Sequence, residues 1–390
     1  MENTVYKIIN GSIITPSKII KEGQLVIING KIVEIGTANI EIPHAHIIDA
    51  KEGYIAPGCI DMHVHGGNGH DFLDATPEVF YDIAKAHALH GTTTIYPTLA
   101  ASELQLFWRA IRSCEQAMRC QKQGANILGL HLEGNYINKQ MKGGLNEQYL
   151  HLPNVEEYKS ILSATSCIKR WSVSPELPGA YELAHYASEH GVLMSVAHTT
   201  ANYTILKEAY KSGFRHVTHF YNAMTSVHKE KEFKREGTVE AVYLMDDMSV
   251  EVIADGIHVP PAILRLIYQI KGVELTALVT DAIAAAAYEG DYTKILGKNL
   301  IVEDGVCKCA DRSALAGSIA TGIQLIRVMV EQAGVPLIDV MRMAAETPAR
   351  IMGILERKGT LEVGKDADII LFTPNFEMLK TWVEGRECVR

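Results

Sequence analysis

Between residues 60 and 280 the chain alternates short apolar runs with helix-like stretches, and this alternation limits the fold more than any other feature. Eight strand-length runs lie at 60–66, 92–96, 127–133, 170–174, 191–198, 216–219, 248–254 and 274–280. Helix-like stretches separate them, among them 77–90, 104–121, 180–190 and 261–270. Strands that alternate with helices build parallel sheets with crossover connections. Eight such units predict an α/β fold of the (β/α)8 TIM-type barrel.

The two ends of the chain differ in character from this middle block. The N-terminal segment, from about residue 5 to residue 56, contains several β-branched runs, and Asn29-Gly30 between two of them is a signal for a two-residue hairpin. The C-terminal segments 367–372 and 381–385 have the same composition. We therefore predict a small β-sandwich domain built from both termini, residues 1–56 and 360–390, and a catalytic barrel domain of residues 57–359.

Composition and charge exclude several classes of function. The 390 residues are 47% hydrophobic and 21% charged, as in ordinary globular proteins, and the net charge of −9 offers no electrostatic footprint for nucleic acid. No apolar run reaches the roughly 18 residues of a membrane span, and residues 1–7 lack the features of a signal peptide. Seven cysteines without a CxxC pair fit reduced thiols. We expect a cytoplasmic protein that binds neither nucleic acid nor membrane.

Side chains of the metal-ligand and acid–base types end most of the predicted barrel strands. They are His63 and His65, Glu133, His198, His219, Asp255 with His258, and Asp281. The carboxyl ends of barrel strands meet on one face, where such barrels carry their chemistry. Polar groups of this kind are costly to bury without a partner, so their recurrence at successive strand ends predicts one shared site.

The residue types at these strand ends fit a metal-dependent hydrolase. His63 and His65 are two apart on a strand and so share a face; with Glu133, His198 and His219 they form a set of nitrogen and carboxylate ligands. Such a set suits Zn²⁺, with Fe²⁺ or another first-row metal as the alternative, and one or two ions can be accommodated.

A catalytic metal keeps a position open for water and lowers the pKa of that water toward 7. Asp281 is then placed to take the proton of the water and return it to the leaving nitrogen. His131 shares the face of Glu133 and is either a further ligand or a partner of one.

These motifs resemble the amidohydrolase superfamily and, within it, the N-acetylglucosamine-6-phosphate deacetylase family. The resemblance is carried by the HxH strand, by His131-Leu132-Glu133-Gly134, and by segments 218–224, 254–259, 278–282 and 315–318. The fourth predicted strand, 170–174, offers no lysine, unlike dihydroorotase-like members, which carry a carbamylated lysine there. The resemblance runs nearly end to end and includes residues 364–368.

The resemblance implies a role for each matching position. Glu133, His198 and His219 match the principal metal ligands, His63 and His65 match the pair that holds a second metal when it is present, and Asp281 matches the catalytic acid–base. The implied substrate contacts are Gly144, Asn222, Ala223, Arg235 and His258. Arg235 is the candidate for the phosphate-binding arginine, which in the family reaches across a homodimer interface.

The implied reaction is metal-dependent hydrolysis of the acetamide of N-acetylglucosamine 6-phosphate to glucosamine 6-phosphate and acetate, a step of amino-sugar metabolism. The departures from the family lie on the substrate side: Asn135 replaces a proline, Leu145 stands where a polar side chain is expected, and Arg235-Glu236-Gly237 follows a charged run. Three alternatives therefore stay open: a different N-acyl amino-sugar phosphate, a cyclic amide or N-acyl amino acid, and an inactive relative that binds sugar phosphate or acts as a scaffold.

Overall fold

The computed structural model describes residues 5–37, 41–295 and 299–389. The first four residues, part of the segment examined for a signal peptide, lie outside this description, as does the last residue of the predicted β domain. In the described chain the eight predicted strands form one parallel sheet in chain order. They are Cys59–Val64, Thr92–Ala100, Leu130–Glu133, Ile168–Val173, Leu193–Val196, Phe214–Val217, Ser249–Ile253 and Thr276–Val279.

The barrel closes where the chain leaves its eighth strand. Ala282 forms a parallel bridge with Val64, and the backbone N–H of Asp281 donates to the carbonyl of His63 at 2.9 Å. Asp61 stabilises the same seam. Its carboxylate accepts a hydrogen bond from the hydroxyl of Thr280 at 2.5 Å and another from the backbone N–H of His63 at 3.2 Å. The predicted (β/α)8 barrel is confirmed, and its seam lies beside the HxH strand.

Helices cover the outside of the barrel. They span Pro77–Leu89, Leu104–Cys120, Val155–Ala164, Ala180–Glu189, Tyr203–Lys211, Thr238–Tyr243, Pro261–Leu275 with a break at Gly272, Gly322–Glu331, Leu337–Met341 and Thr347–Ile351. The first shows why they start where they do: the Thr76 hydroxyl accepts the Val79 N–H and Pro77 takes the first helical position. Within the described residues no helix is both long and apolar enough to cross a membrane.

Strands from both ends of the chain join in one eight-stranded sheet beside the barrel. Its order is Arg386–Cys388, Met378–Val383, Ile369–Phe372, Tyr54–Pro57, Val5–Ile14, Ile19–Ile28 and Lys31–Gly36, with His46–Asp49 also paired to Val5–Ile14. Ile8, Leu25, Ile55, Ile369 and Trp382 belong to a hydrophobic core of its own. The prediction of a small β-sandwich domain built from both termini is therefore confirmed as a β domain, and its strands form one sheet.

The predicted hairpin at Asn29-Gly30 also forms. Ile28 pairs with Lys31, and Asn29 and Gly30 have φ of 51° and 79°. A two-residue turn of this kind needs positive φ at both central positions, which is why the Asn-Gly pair favours it.

Three short hairpins lie outside the barrel sheet in the described residues, and the shortest pairs Gly66–Gly67 with His70–Asp71. The other two are longer. His228–Glu230 pairs with Phe233–Arg235, and Leu300–Glu303 pairs with Val306–Cys309. Of these two, the second supplies Leu300 to the large cleft described below, whereas every residue of the first is exposed.

Candidate functional site

Four imidazoles surround one carboxylate at the carboxyl end of the barrel. Oε2 of Glu133 lies 3.0 Å from Nε2 of His65 and 3.3 Å from Nε2 of His63. Oε1 of the same carboxylate lies 3.0 Å from Nε2 of His219 and 3.3 Å from Nε2 of His198. All five side chains are at least nine-tenths buried. Glu133 is thus shared by two triads of potential ligands, one with the HxH pair and one with His198 and His219.

The backbone at the strand ends turns these side chains inward. His198, His219 and Asp281 each have positive φ, at 46°, 29° and 47°. This region is unfavourable for residues with a side chain and costs roughly 1–3 kcal/mol each, so it persists where surrounding contacts hold it. Strain of this kind clusters at functional sites, and here it occurs at three strand ends that face one point.

Hydrogen bonds behind two of the imidazoles, His63 and His198, leave one nitrogen of each of these rings facing the site. Nδ1 of His63 lies 2.7 Å from Oε1 of Glu251, and Nδ1 of His198 lies 2.7 Å from the carbonyl of Met141. When a ring donates its Nδ1–H to an acceptor, its Nε2 presents a lone pair. Both Nε2 atoms point at Glu133, which is the arrangement that a divalent first-row metal requires of histidine ligands.

Negative charge is concentrated at this end of the barrel. Burial would raise the pKa of Glu133, but His63, His198 and His219 hold it well below its usual value. Burial would lower the pKa of His65, but its hydrogen bonds to Asp281 and Glu133 raise it to about 9. The carboxylates of Glu133 and Asp281 therefore stay ionised and are stabilised by positive charge on the neighbouring imidazoles. A bound cation would supply the same stabilisation.

Asp281 lies beside the ligand sets without belonging to either triad. Its Oδ1 is 3.3 Å from Nε2 of His65 and 3.4 Å from Nε2 of His63. Both triads are complete without it. Its carboxylate lines the cleft, so it faces the space in which a substrate would lie.

The triads open into a cleft of about 570 Å³. The substrate-side candidates Gly144, Asn222, Ala223 and His258 line it, together with Leu145. His258 is held by a 2.6 Å contact between its Nδ1 and Oδ2 of Asp255. Asp71 and Gln140, which the sequence patterns did not single out, line it as well. Among the described residues around this cleft there is no lysine or arginine.

Arg235 is the one candidate that the structure does not bring to the site. It lies on the exposed hairpin, where its Nε contacts Oε2 of Glu230 at 2.9 Å, and it does not line the cleft. The charged run at 229–234 is likewise solvent-exposed.

His131 is not part of either triad. Its Nδ1 lies 3.1 Å from the hydroxyl of Thr98 and its Nε2 lies 2.6 Å from the hydroxyl of Ser172. Both ring nitrogens are therefore engaged in the barrel interior. Of the two interpretations left open for this residue, the partner of a ligand fits better, because its ring packs edge-on against His63 at a centroid distance of 4.7 Å.

Sequence reasoning missed a polar network in the barrel interior, beneath the triads. Glu251 and Arg170 form a fully buried ion pair there. Arg170 also donates to the hydroxyls of Ser195 and Thr218 at 2.9 and 2.8 Å. A signal was present: charged residues stand in the middle of otherwise apolar strands, where an unpaired charge is too costly to bury.

A (β/α)8 barrel whose strand ends gather two histidine–carboxylate triads around one cleft defines a class of metal-dependent hydrolases. The sequence pattern of the Amidohydrolase family matches residues 54–388, and the chain belongs to this family. Like other members of the family it is a metal-dependent enzyme.

The relatives of this chain carry related names. The chain is 30% identical over 379 residues to N-acetylglucosamine-6-phosphate deacetylase of Bacillus subtilis (strain 168), covering 96% of this chain and 94% of that protein. It is 30% identical over 354 residues to N-acetylgalactosamine-6-phosphate deacetylase of Escherichia coli O157:H7, covering 90% and 91%. The solved structure of N-acetylglucosamine-6-phosphate deacetylase from Pasteurella multocida superposes with a TM-score of 0.91 at 28% identity, covering 98% and 99%.

Proposed function

We propose that the protein hydrolyses the acetamide of N-acetylglucosamine 6-phosphate to glucosamine 6-phosphate and acetate. The observation that carries this proposal is the position of Asp281, whose Oδ1 lies 3.3 Å from His65 beside two triads that share Glu133. The names of its relatives, which cover nearly the whole chain, support the substrate.

Glu133, His198 and His219 would hold one divalent metal, and His63 and His65 with Glu133 would hold a second. We propose Zn²⁺, because the donors are imidazoles and a carboxylate, with Fe²⁺ as the alternative. The metal supplies Lewis-acid polarisation of the amide carbonyl and acidifies water.

Asp281 is the proton carrier of the proposed reaction. Its carboxylate would take a proton from the attacking water and deliver it to the amide nitrogen, so that the C–N bond breaks with an amine as leaving group. His258 and the backbone of Asn222 and Ala223 would hold the sugar phosphate along the cleft. Gly144 lies on the wall of the same cleft, where its α-carbon faces Ala316 and the carbonyl of Leu315.

The phosphate requires a cation that the described cleft residues of one chain do not supply. We propose that the protein is a homodimer in which Arg235 of the partner subunit binds the phosphate. The support is that Arg235 stands on a projecting, exposed hairpin, where its only side-chain ion pair among the described residues is with the equally exposed Glu230.

Mixing two variants tests this arrangement. Arg235→Ala and Asp281→Asn are each expected to be nearly inactive, and unfolding and refolding them together would restore activity, because one site of the mixed dimer then combines an intact Asp281 with an intact Arg235 of the partner subunit. No recovery in a mixture that contains mixed dimers would place Arg235 in its own chain's site, or outside both.

Two finer points belong to the same proposal. All seven cysteines are free, which supports a reducing compartment such as the cytoplasm.

The proposed domain boundaries lie after residues 56 and 359. They are supported by the small sheet, because its strands in the first segment end at Pro57 and its strands in the second segment begin at Ile369.

The test of the main proposal is acetate release by purified, metal-analysed protein from N-acetylglucosamine 6-phosphate, run beside the unphosphorylated sugar. Fast, phosphate-dependent release is expected. Release from both sugars at equal rates would instead favour an amide hydrolase without phosphate recognition. No release by metal-loaded protein would contradict the proposal.

One observation favours a second candidate substrate, N-acetylgalactosamine 6-phosphate. The Escherichia coli relative named for N-acetylgalactosamine 6-phosphate is as similar in identity as the Bacillus subtilis one. The two sugars differ only in the configuration of one hydroxyl, so the same assay with both compounds decides between them through the ratio of kcat/KM.

A further inference from the structure

We propose that Glu251 is a positioning residue that holds a ligand from each of the two triads in place. It stands in the middle of the seventh barrel strand and is completely buried. Its Oε1 lies 2.7 Å from Nδ1 of His63 and accepts the backbone N–H of His219 at 3.0 Å. These two histidines belong to different triads, so one oxygen atom beneath the site contacts both. The inference rests on the proposed metal-dependent function.

The contact with His63 fixes which ring nitrogen faces the site. A neutral imidazole carries one N–H, and a carboxylate against Nδ1 keeps the proton there. Nε2 of His63 then presents its lone pair toward Glu133 at 3.3 Å and toward His65 Nε2 at 3.2 Å. Without Glu251 the ring is free to adopt the other tautomer or to rotate, and the HxH triad loses a ligand.

The contact with His219 acts on the backbone. The φ of His219 is 29°, in the left-handed region that a residue with a side chain occupies only when its surroundings enforce it. The hydrogen bond from its N–H to Glu251 is one such constraint. This backbone conformation places Nε2 of His219 3.0 Å from Glu133 and 3.1 Å from His198 Nε2.

Oε1 of Glu251 is free to contact both ligands because the other oxygen, Oε2, is bound by side chains deeper in the barrel. Oε2 forms the buried ion pair with Arg170 and lies 3.3 Å from Nε2 of His216. Arg170 is anchored on further strands through Ser195, Thr218 and the carbonyl of Met62. The network therefore connects residues of five barrel strands to the two ligands His63 and His219.

The competing explanation is that this pair only stabilises the barrel. Glu251→Gln alone does not separate the two explanations, because it leaves the Arg170 charge buried without its partner, and the loss of one member of a buried ion pair is strongly destabilising. The double variant Arg170→Met/Glu251→Gln removes both charges and keeps side chains of similar size. Ser195→Ala is the matched control, since it removes one hydrogen bond of the same network without touching a ligand.

The experiment is a titration of metal-free protein with Co²⁺, followed by absorption in the visible range and by metal content, with thermal unfolding measured in parallel. We expect the double variant to fold, to bind Co²⁺ about 10–100-fold more weakly and to show altered absorption bands. Ser195→Ala is expected to keep normal binding. A folded double variant that binds Co²⁺ as tightly as the parent would overturn the proposal.

A second measurement does not depend on variants of Glu251 or Arg170. In Zn²⁺-loaded protein with ¹⁵N-labelled histidine, the ring of His63, identified by the signal lost in His63→Gln, is expected to carry its proton on Nδ1. A proton on Nε2 would overturn the role of Glu251 even if the double variant failed to fold.

Failure of this inference and failure of the proposed function can be told apart. A parent protein that binds Co²⁺ but releases no acetate would contradict the proposed reaction alone, whereas one that binds no Co²⁺ would contradict both.

Discussion

Oδ1 of Asp281 lies 3.3 Å from Nε2 of His65, on the seam where the last barrel strand meets the first. The two residues are 216 positions apart in sequence (281 minus 65), and only closure of the barrel brings them together. The carboxylate that we propose as the proton carrier therefore lies beside one triad without being a member of either.

We expect Asp281→Asn to lower kcat by about 10²–10⁴-fold while the metal content stays at the parent level. The amide has the shape of the carboxylate but cannot carry the proton, and neither triad includes it. Acetate release and metal analysis on the same preparation check this. An enzyme that keeps most of its activity would show that another group moves the proton.

Glu133 and His65 are expected to differ in their effect on metal content. Because Glu133 is shared by both triads, Glu133→Ala should remove essentially all bound metal. His65→Ala leaves Glu133, His198 and His219 intact and should retain a single ion per chain at most. Metal analysis after gel filtration measures both. Equal metal content in the two variants would mean that Glu133 does not bridge two sites.

A cluster of cations around Asp366 gives the small domain a dependence on pH. Lys31 Nζ lies 2.5 Å from its carboxylate, and Arg357 Nη2 lies 2.9 Å away. Burial would raise the pKa of Asp366, but Lys31, Lys358 and Arg357 lower it below its ordinary 3.8. A lowered folded-state pKa gives stability that is present above the unfolded value and lost as the pH falls through the folded one.

We therefore expect Asp366→Asn to lower Tm by several degrees near neutral pH, and we expect this deficit to shrink as the pH falls below 3.8. Asp82→Asn, at an exposed helical position, is the control and should leave Tm nearly unchanged. Thermal unfolding of the parent and of both variants, measured across this pH range, tests the expectation. A deficit of the same size at both ends would show that the ion pairs do not cause the effect.

Leu145 is the departure from the family that reaches the cleft. Its side chain is half-buried and, like that of Tyr149, packs against a small apolar cluster that includes Ile137 and Leu150. We expect Leu145→Gln to raise kcat/KM for N-acetylglucosamine 6-phosphate by about 3–10-fold, since a hydrogen bond to the acetamide is worth about 0.5–1.5 kcal/mol. Leu145→Met is the apolar control. A decrease with Gln and parent activity with Met would show that the cleft favours an apolar group at this position.

The sequence allowed the barrel and its ligand sets to be predicted because both follow local rules. Alternating runs such as the one containing His63 and His65 define strands and their faces, and the carboxyl ends of barrel strands converge wherever the fold forms. His131 could not be resolved in this way, since it shares a face with Glu133 and only the packing of Thr98 and Ser172 decides its role.

Two features lay beyond such rules. The pairing of Glu251 with Arg170 joins strands that are not neighbours in the sheet, and no pattern within either strand reports the distance between them. Arg235 was predicted from the resemblance to the family, yet it does not line the chain's own cleft and its Nε contacts Glu230 instead. A residue that acts across an interface, as we propose for Arg235, cannot be placed by the contacts of one chain.

The sheet that joins both termini has a consequence for biosynthesis. Tyr54–Pro57 pairs on one side with Val5–Ile14 and on the other with Ile369–Phe372, so the ribosome must make the entire barrel before the second partner exists. Until then one edge of an apolar strand stays open, and unpaired edges of this kind invite association with other nascent chains. The sheet of the small domain is therefore completed late, after the barrel strands have been synthesised.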